Sequence, residues 1–185
     1  MPVIRTIDEL KKYIKIGRSF DYLYFWGHRQ KSSTRITKSC LSNWYSTRFN
    51  VHGFTYTTSE QYMMAQKALL FDDQIMYEAI LKSETPRESQ QLGRKVHCFD
   101  QSTWSRKRFD IVVEANFQKF SQNDLLADFL IQTGSKILVE ASPDDKIWGI
   151  GMSESDTRAG DPNHWGGLNL LGFALMGVRA KLLTQ

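Results

Sequence analysis

The chain has 185 residues and a formal net charge of +4, a length that suits one domain with a real hydrophobic core. Its two cysteines, Cys40 and Cys98, exclude a disulfide framework and read as small buried or half-buried thiols in a reducing compartment. The N-terminus has no signal-peptide core and no apolar run nears the roughly 20 residues of a membrane span, so the reading is a cytoplasmic protein without a membrane partner.

In chain order, Thr6 to Ile16 predicts a short helix, with Thr6 or Asp8 near its start. Asp21 to Trp26 is aromatic and strand-like. Gly27 to Lys38, with Arg29, Lys31, Arg35 and Lys38, reads as an exposed basic loop. Leu41 to Phe54 is irregular, and Val51-His52-Gly53-Phe54 suggests a turn between two short extended segments. A helix is expected from about Thr58 to Leu70, with Tyr62, Ala65, Gln66 and Leu69 on one largely apolar face. Asp72 to Lys82 and Thr85 to Leu92 are two further helices, the latter with Pro86 just inside its start and Gly93 just past its end. Thr103 to Phe120 is helical with Phe109, Val112, Val113 and Phe117 inward, and Asp124 to Thr133 is a helix stopped by Gly134. Lys136 to Glu140 is a β-branched strand, and Asn169 to Leu183 closes the chain as an amphipathic helix with Leu171, Leu175, Val178 and Leu182 at helical spacing. The fold class is α+β, mainly α, in one domain over 1–185 with a small β component.

Two stretches could carry chemistry. In Thr57-Thr58-Ser59-Glu60-Gln61-Tyr62-Met63-Met64-Ala65-Gln66-Lys67, Glu60 and Lys67 stand seven residues apart. Seven helical residues make nearly two turns, so both leave one face with Cα atoms roughly 10 Å apart along the axis. Glu60 falls in the first turn, where the helix dipole favours a negative charge. The alternative is structural: Thr57-x-x-Glu60 fits a capping box, and a lone lysine is commonly solvated. Against that, Met63, Met64, Ala65, Ala68 and Leu69 give Lys67 apolar neighbours, and desolvation there would lower its pKa and free a nucleophilic amine.

The second stretch is Trp148-Gly149-Ile150-Gly151 followed by Asp161-Pro162-Asn163-His164-Trp165-Gly166-Gly167-Leu168-Asn169. Glycines flanking Trp148 would let a backbone approach a ligand, although Trp148 could equally be a core or lid aromatic. Asp144 and Asp145 could cap a turn. Exposed amides at the start of the last helix would suit a phosphate; a plain loop-to-helix transition explains the Gly166-Gly167 pair equally well. His28, His52, His97 and His164 have no metal-ligand spacing, and no nucleotide or nucleophile-elbow glycine pattern is present, so neither metal nor cofactor is expected.

Many ordered blocks together are similar to the NADAR family, the YbiA-like N-glycosidases. They include Phe25-Trp26-Gly27-His28, Leu41-Ser42-Asn43-Trp44-Tyr45, the Thr58 to Lys67 segment, Leu92-Gly93-Arg94, Trp104 and Lys119-Phe120. Further along they include Leu138 to Pro143, Ile147 to Gly151, Asn169-Leu170-Leu171-Gly172 and Val178-Arg179. The resemblance implies a YbiA-like fold with its core over about 21–183, and hydrolysis of an N-glycosidic bond on ribose. It implies two substrate classes: ADP-ribose attached to guanine in nucleic acid, and ribosylated pyrimidine intermediates of riboflavin synthesis. Glu60 and Lys67 would be the catalytic pair. Asn43, Trp44, Arg94, Trp148, Gly149, Gly166, Gly167 and Asn169 would line the ligand, with Trp44 or Trp148 stacking on a base and Arg94 or the Gly166 and Gly167 amides holding phosphate.

Two positions depart from the family pattern: Gln61 stands where relatives often have His, and Gly166 where close relatives often have Arg. Net positive charge and the basic loop favour the nucleic-acid substrate slightly, and an ADP-ribosyltransferase toxin is then a candidate counterpart. The rival from another class is a non-catalytic module binding ADP-ribose or NAD.

Overall fold

A computed structural model describes residues 4–30 and 35–184, so residues 31–34 of the expected basic loop lie outside the described residues. Among the described residues, seven helices, two short strand pairs and two 3₁₀ turns form an α+β fold that is mainly α. The chain divides into two compact units, Met1–Ser42 with Asp124–Gln185, and Asn43–Asn123.

The first unit holds α1 (Ile7–Lys15), β1 (Tyr22–Phe25), α6 (Asp124–Gln132), β4 (Ile137–Glu140) and α7 (Leu170–Leu182). Thr6 caps α1, its side chain accepting from the Glu9 amide. β1 and β4 pair in parallel from Tyr22 opposite Ile137 to Phe25 opposite Glu140. α7 packs on β4, and α6 on α7. The core gathers Leu10, Phe25, Leu130, Leu138, Val139, Phe173 and Leu175, all fully buried. α7 is buried on nearly every side rather than along one stripe, and Leu171 to Met176 are all inaccessible. Gly172 is needed there: a Cβ would lie 2.0 Å from the Leu138 carbonyl oxygen. Lys38, expected in the loop, opens a 3₁₀ turn over Lys38–Leu41 and pairs with Glu154 at 2.8 Å.

The second unit holds the antiparallel pair β2 (Phe49–Val51) and β3 (Phe54–Tyr56), then α2 (Ser59–Leu70), α3 (Gln74–Leu81), α4 (Pro86–Gly93) and α5 (Gln101–Ser121). His52 and Gly53 both take positive φ, as a tight two-residue hairpin requires. α2 lies among α3, α4 and α5. Its first half, Ser59 to Ala65, is buried all round, whereas Leu69, expected inward, is 40% exposed. Gly93 ends α4 from inside the helix rather than just beyond it. Its place follows from packing: a Cβ there would overlap the Met64 side chain, with 2.1 Å to the sulfur. On α5 the buried stripe is Trp104, Val112, Ala115, Asn116, Lys119 and Phe120; of the four residues expected inward, only Val112 is fully buried. Cys40 is buried but Cys98 is exposed.

Candidate active site

Both halves of the capping box fall one residue later than Thr57 and Glu60. Thr58 is the N-cap of α2, accepting from the Gln61 amide at 3.1 Å. Gln61 Oε1 reaches back to the Thr57 amide at 2.9 Å, and its Nε2 donates to the carbonyls of Ile80, Leu81 and Ser83. Gln61 is thus a structural clamp, in keeping with its lack of acid or base chemistry.

Glu60 stands at the second helical position, 3% exposed, with its amide donating to the Asn43 carbonyl at 3.0 Å. Around it runs a buried polar frame. Asn116 Nδ2 donates to Asn43 Oδ1 at 2.9 Å and to the Val112 carbonyl, and the Ser59 hydroxyl donates to Asn116 Oδ1 at 3.3 Å. One turn along α5, Lys119 is wholly buried, with its amine 5.5 Å from the Tyr45 ring centre and 5.1 Å from that of Phe120. Asn116 and Lys119 were not expected as frame residues. Lys119 shows in the sequence only through the Lys119-Phe120 block, with no role attached, and Asn116 only as a polar side chain at an inward position of α5.

Lys67 sits nearly two turns after Glu60 on the same helix and is half-buried. Its amine donates to the Gly93 carbonyl at 2.7 Å and lies 4.2 Å from the Phe99 ring centre and 5.7 Å from that of Trp104. Its apolar surroundings therefore come largely from α4, α5 and the segment between them. Burial lowers the Lys67 pKa, and the Arg94 guanidinium lowers it further. Arg94 itself is exposed at the C-cap of α4, Trp44 is half-buried, and Asn43 is 5% exposed.

In the first unit the helix start expected to offer amides to a phosphate has none free between Leu168 and Leu171. These four amides donate to the carbonyls of Lys146, Gly149, Ile147 and Trp148 at 3.0–3.2 Å. Gly167 is a packing glycine: a Cβ would approach the Gly149 oxygen to 2.3 Å. Gly149 is another, its Cβ position 2.8 Å from the Glu140 carbonyl oxygen. Asn169, fully buried in the left-handed region at φ 53, accepts from the Glu140 amide and donates to the Leu138 carbonyl, both at 2.9 Å. Asp145 caps the loop through the amides of Ile147 and Trp148, leaving the Trp148 indole half-buried. Gly166 is exposed.

Among the described residues no group of three or more His, Cys, Asp or Glu could hold a metal, and no helix is long and apolar enough to cross a membrane.

α2 thus carries a buried carboxylate, Glu60, and a half-buried amine, Lys67, in a mainly helical fold with minimal sheet. Residues 24–183 match the NADAR domain, and the chain belongs to that family. It is 41% identical to an N-glycosidase of Acanthamoeba polyphaga mimivirus over 166 residues, 86% of this chain and 95% of that protein. It is 34% identical over 142 residues to a riboflavin biosynthesis protein of Vibrio vulnificus, covering 77% of this chain and 35% of that protein. The solution structure of the Escherichia coli protein YbiA matches with a TM-score of 0.72 at 26% identity, covering all of this chain and 94% of that one.

Proposed function

We propose that the protein is an N-glycosidase that hydrolyses a ribose–nitrogen bond, with ADP-ribose on guanine in nucleic acid as substrate. One observation carries this reading. Thr58 and Gln61 cap α2, and Glu60 stands buried in its first turn on the face that also carries Lys67. The N-glycosidase relatives support the bond class. The formal charge of +4 supports the nucleic-acid carrier.

In this mechanism the ribose opens, leaving C1 double-bonded to the nitrogen of the base. Neutral Lys67 adds to C1, forming the C1–Nζ bond, and Glu60 carries the proton from Nζ to the departing nitrogen. The bond from C1 to the base breaks with its electron pair on the base, leaving a C1=Nζ imine. Water adds across that imine, its oxygen to C1, and the C1–Nζ bond breaks to return the amine. The Glu60 carboxylate also offsets the positive charge that develops at C1. In the same unit Trp44 stacks on the base, Arg94 holds phosphate, and Asn43 positions Glu60 through its carbonyl. Within the first unit, Gly149, Gly167 and Asn169 hold the backbone of the loop that carries Trp148 and Gly166.

The second reading, a ribosylated aminopyrimidine of riboflavin synthesis, is favoured by the name of the Vibrio vulnificus relative. Product analysis by mass spectrometry separates the two. Wild type and Glu60→Ala are offered ADP-ribosylated guanine DNA and, separately, ribosylaminopyrimidine phosphate. ADP-ribose released by wild type alone upholds the proposal, and ribose phosphate alone transfers it to the metabolite. No release from either sinks both readings and leaves an ADP-ribose or NAD-binding module. An ADP-ribosyltransferase toxin is a natural counterpart of the first outcome only.

A further inference from the structure

Of the groups around the Lys67 amine, the Gly93 carbonyl belongs to the last residue of α4 and the Phe99 ring to the short connection that follows it to α5. A connection of that kind has few backbone bonds of its own to hold it. Here Lys95 donates to Leu92 at 2.8 Å, Arg94 donates to Gln90, and Val96 is buried. Its middle is fastened by Asp73. One carboxylate oxygen of Asp73, Oδ1, caps α3 by accepting from the Met76 amide at 3.0 Å. The other, Oδ2, accepts from the His97 amide at 2.8 Å and lies 2.8 Å from His97 Nδ1, where only a protonated Nδ1 can donate. The Asp73 side chain is 6% exposed and that of His97 74%, so the carboxylate is fixed and the imidazole clips onto it from outside. Asp73 is itself anchored to the end of α2, its amide donating to the Ala68 carbonyl at 2.9 Å, one residue from Lys67. Phe99 closes the arrangement edge-on against Phe71, the residue after α2, with ring centres 5.3 Å apart.

We propose that Asp73 and His97 are positioning residues for Lys67: by fastening the 94–99 connection to the end of α2 they keep the Gly93 carbonyl and the Phe99 ring against its amine. The clip touches no reacting atom. It acts by excluding water from one side of the amine and by fixing the acceptor that aims it. Its relevance to catalysis rests on the reading of Lys67 as the reacting amine; its effect on the amine does not.

The variant of choice is Asp73→Asn. The single amide oxygen keeps an acceptor for the Met76 cap, while the amide nitrogen has no lone pair to offer His97. The measurement is competitive acylation of the intact protein with a trace amine reagent across the alkaline range, read at the Lys67 peptide by mass spectrometry. The other lysines serve as internal controls and no substrate is present. The charged group near the amine is Arg94, on the same connection, and it is unchanged in the variant. Loosening the clip lets water in, so the Lys67 midpoint moves up toward that of a solvated lysine while the control lysines stay in place. His97→Ala, at an exposed side chain, removes only the imidazole contact and gives a smaller shift in the same direction. It decides the matter should Asp73→Asn fail to fold. A Lys67 midpoint unmoved in the folded variants overturns the proposal. An upward shift without any glycosidase activity leaves the clip standing and removes only the proposed function.

Discussion

The starts of α2 and α7 make an instructive pair. Both are buried helix beginnings, and in both the sequence carries polar and small residues that suggest a ligand site. At α2 side chains do the capping: Thr58 and Gln61 bridge its first turn, with the buried Glu60 beside them. At α7 the main chain does it. Asn169 enters in the left-handed region without a side-chain cap, and the amides from Leu168 to Leu171 close onto carbonyls of the 146–149 loop. A helix start can offer its donors to a ligand only where the frame has not already taken them, and at α7 the amides from Leu168 to Leu171 are taken.

The largest effect that would break this contrast is on activity. Glu60→Gln keeps shape and removes the carboxylate, and is expected to lower kcat by about 10²–10⁴-fold, the range for losing a general acid–base group. Steady-state product release measures it, with circular dichroism confirming the fold. A variant within a few-fold of wild type would return Glu60 to a purely structural role.

At α7 the expected effect is on stability instead. Asn169→Ala leaves the Glu140 amide and the Leu138 carbonyl without their partner, at roughly 1–3 kcal/mol for each buried group, and places Ala at φ 53. Asn169→Gly loses the same bonds without the strain, so its melting temperature should fall less. Equal losses would show that the left-handed conformation contributes little. Smaller still is Thr58→Ala, which removes the Thr58 side-chain cap and should cost about 0.5–2 kcal/mol with turnover retained. Thermal melts and the same product assay, run together, check that the cap and the chemistry separate at neighbouring residues.

These contrasts explain what the sequence could and could not show. Helix periodicity, Thr6 at the start of α1 and the His52-Gly53 turn are local signals, and the elements they mark are present. The capping register at α2 was ambiguous because two threonines precede Glu60 and Gln61: Thr57-x-x-Glu60 and Thr58-x-x-Gln61 fit the same pattern, and only the folded backbone chooses. Gly166-Gly167 before a helix looks open, because nothing local reveals that carbonyls some twenty residues upstream already hold the following amides. Asn116 and Lys119 escaped for a related reason. Which polar residues of α5 turn inward depends on packing against α2, and the inward stripe differs from the one that apolar spacing alone suggests. Asp73 and His97, 24 residues apart, have no local signature at all.

The smallest expected effect sharpens the reading of Lys67 itself. Burial first, then Arg94, hold its pKa below the ordinary 10.5, so the fold favours the neutral amine. This preference stabilises the fold fully only above the unfolded value of 10.5 and is lost as pH falls through the lowered folded value; the buried cation therefore works against stability at neutral pH. For catalysis the sign is useful. If neutral Lys67 is the nucleophile, kcat should rise with pH along a limb whose midpoint lies below that of a solvated lysine. Arg94→Ala removes the second cause and leaves the first, so the limb should move modestly to higher pH. KM for a phosphate-bearing substrate should rise as well, since the same guanidinium is proposed to hold phosphate. A limb that stays in place while KM rises would confine Arg94 to binding and leave desolvation as the sole tuning of the amine. A limb moving to lower pH would mean that the amine responding to pH is not the one beside Arg94.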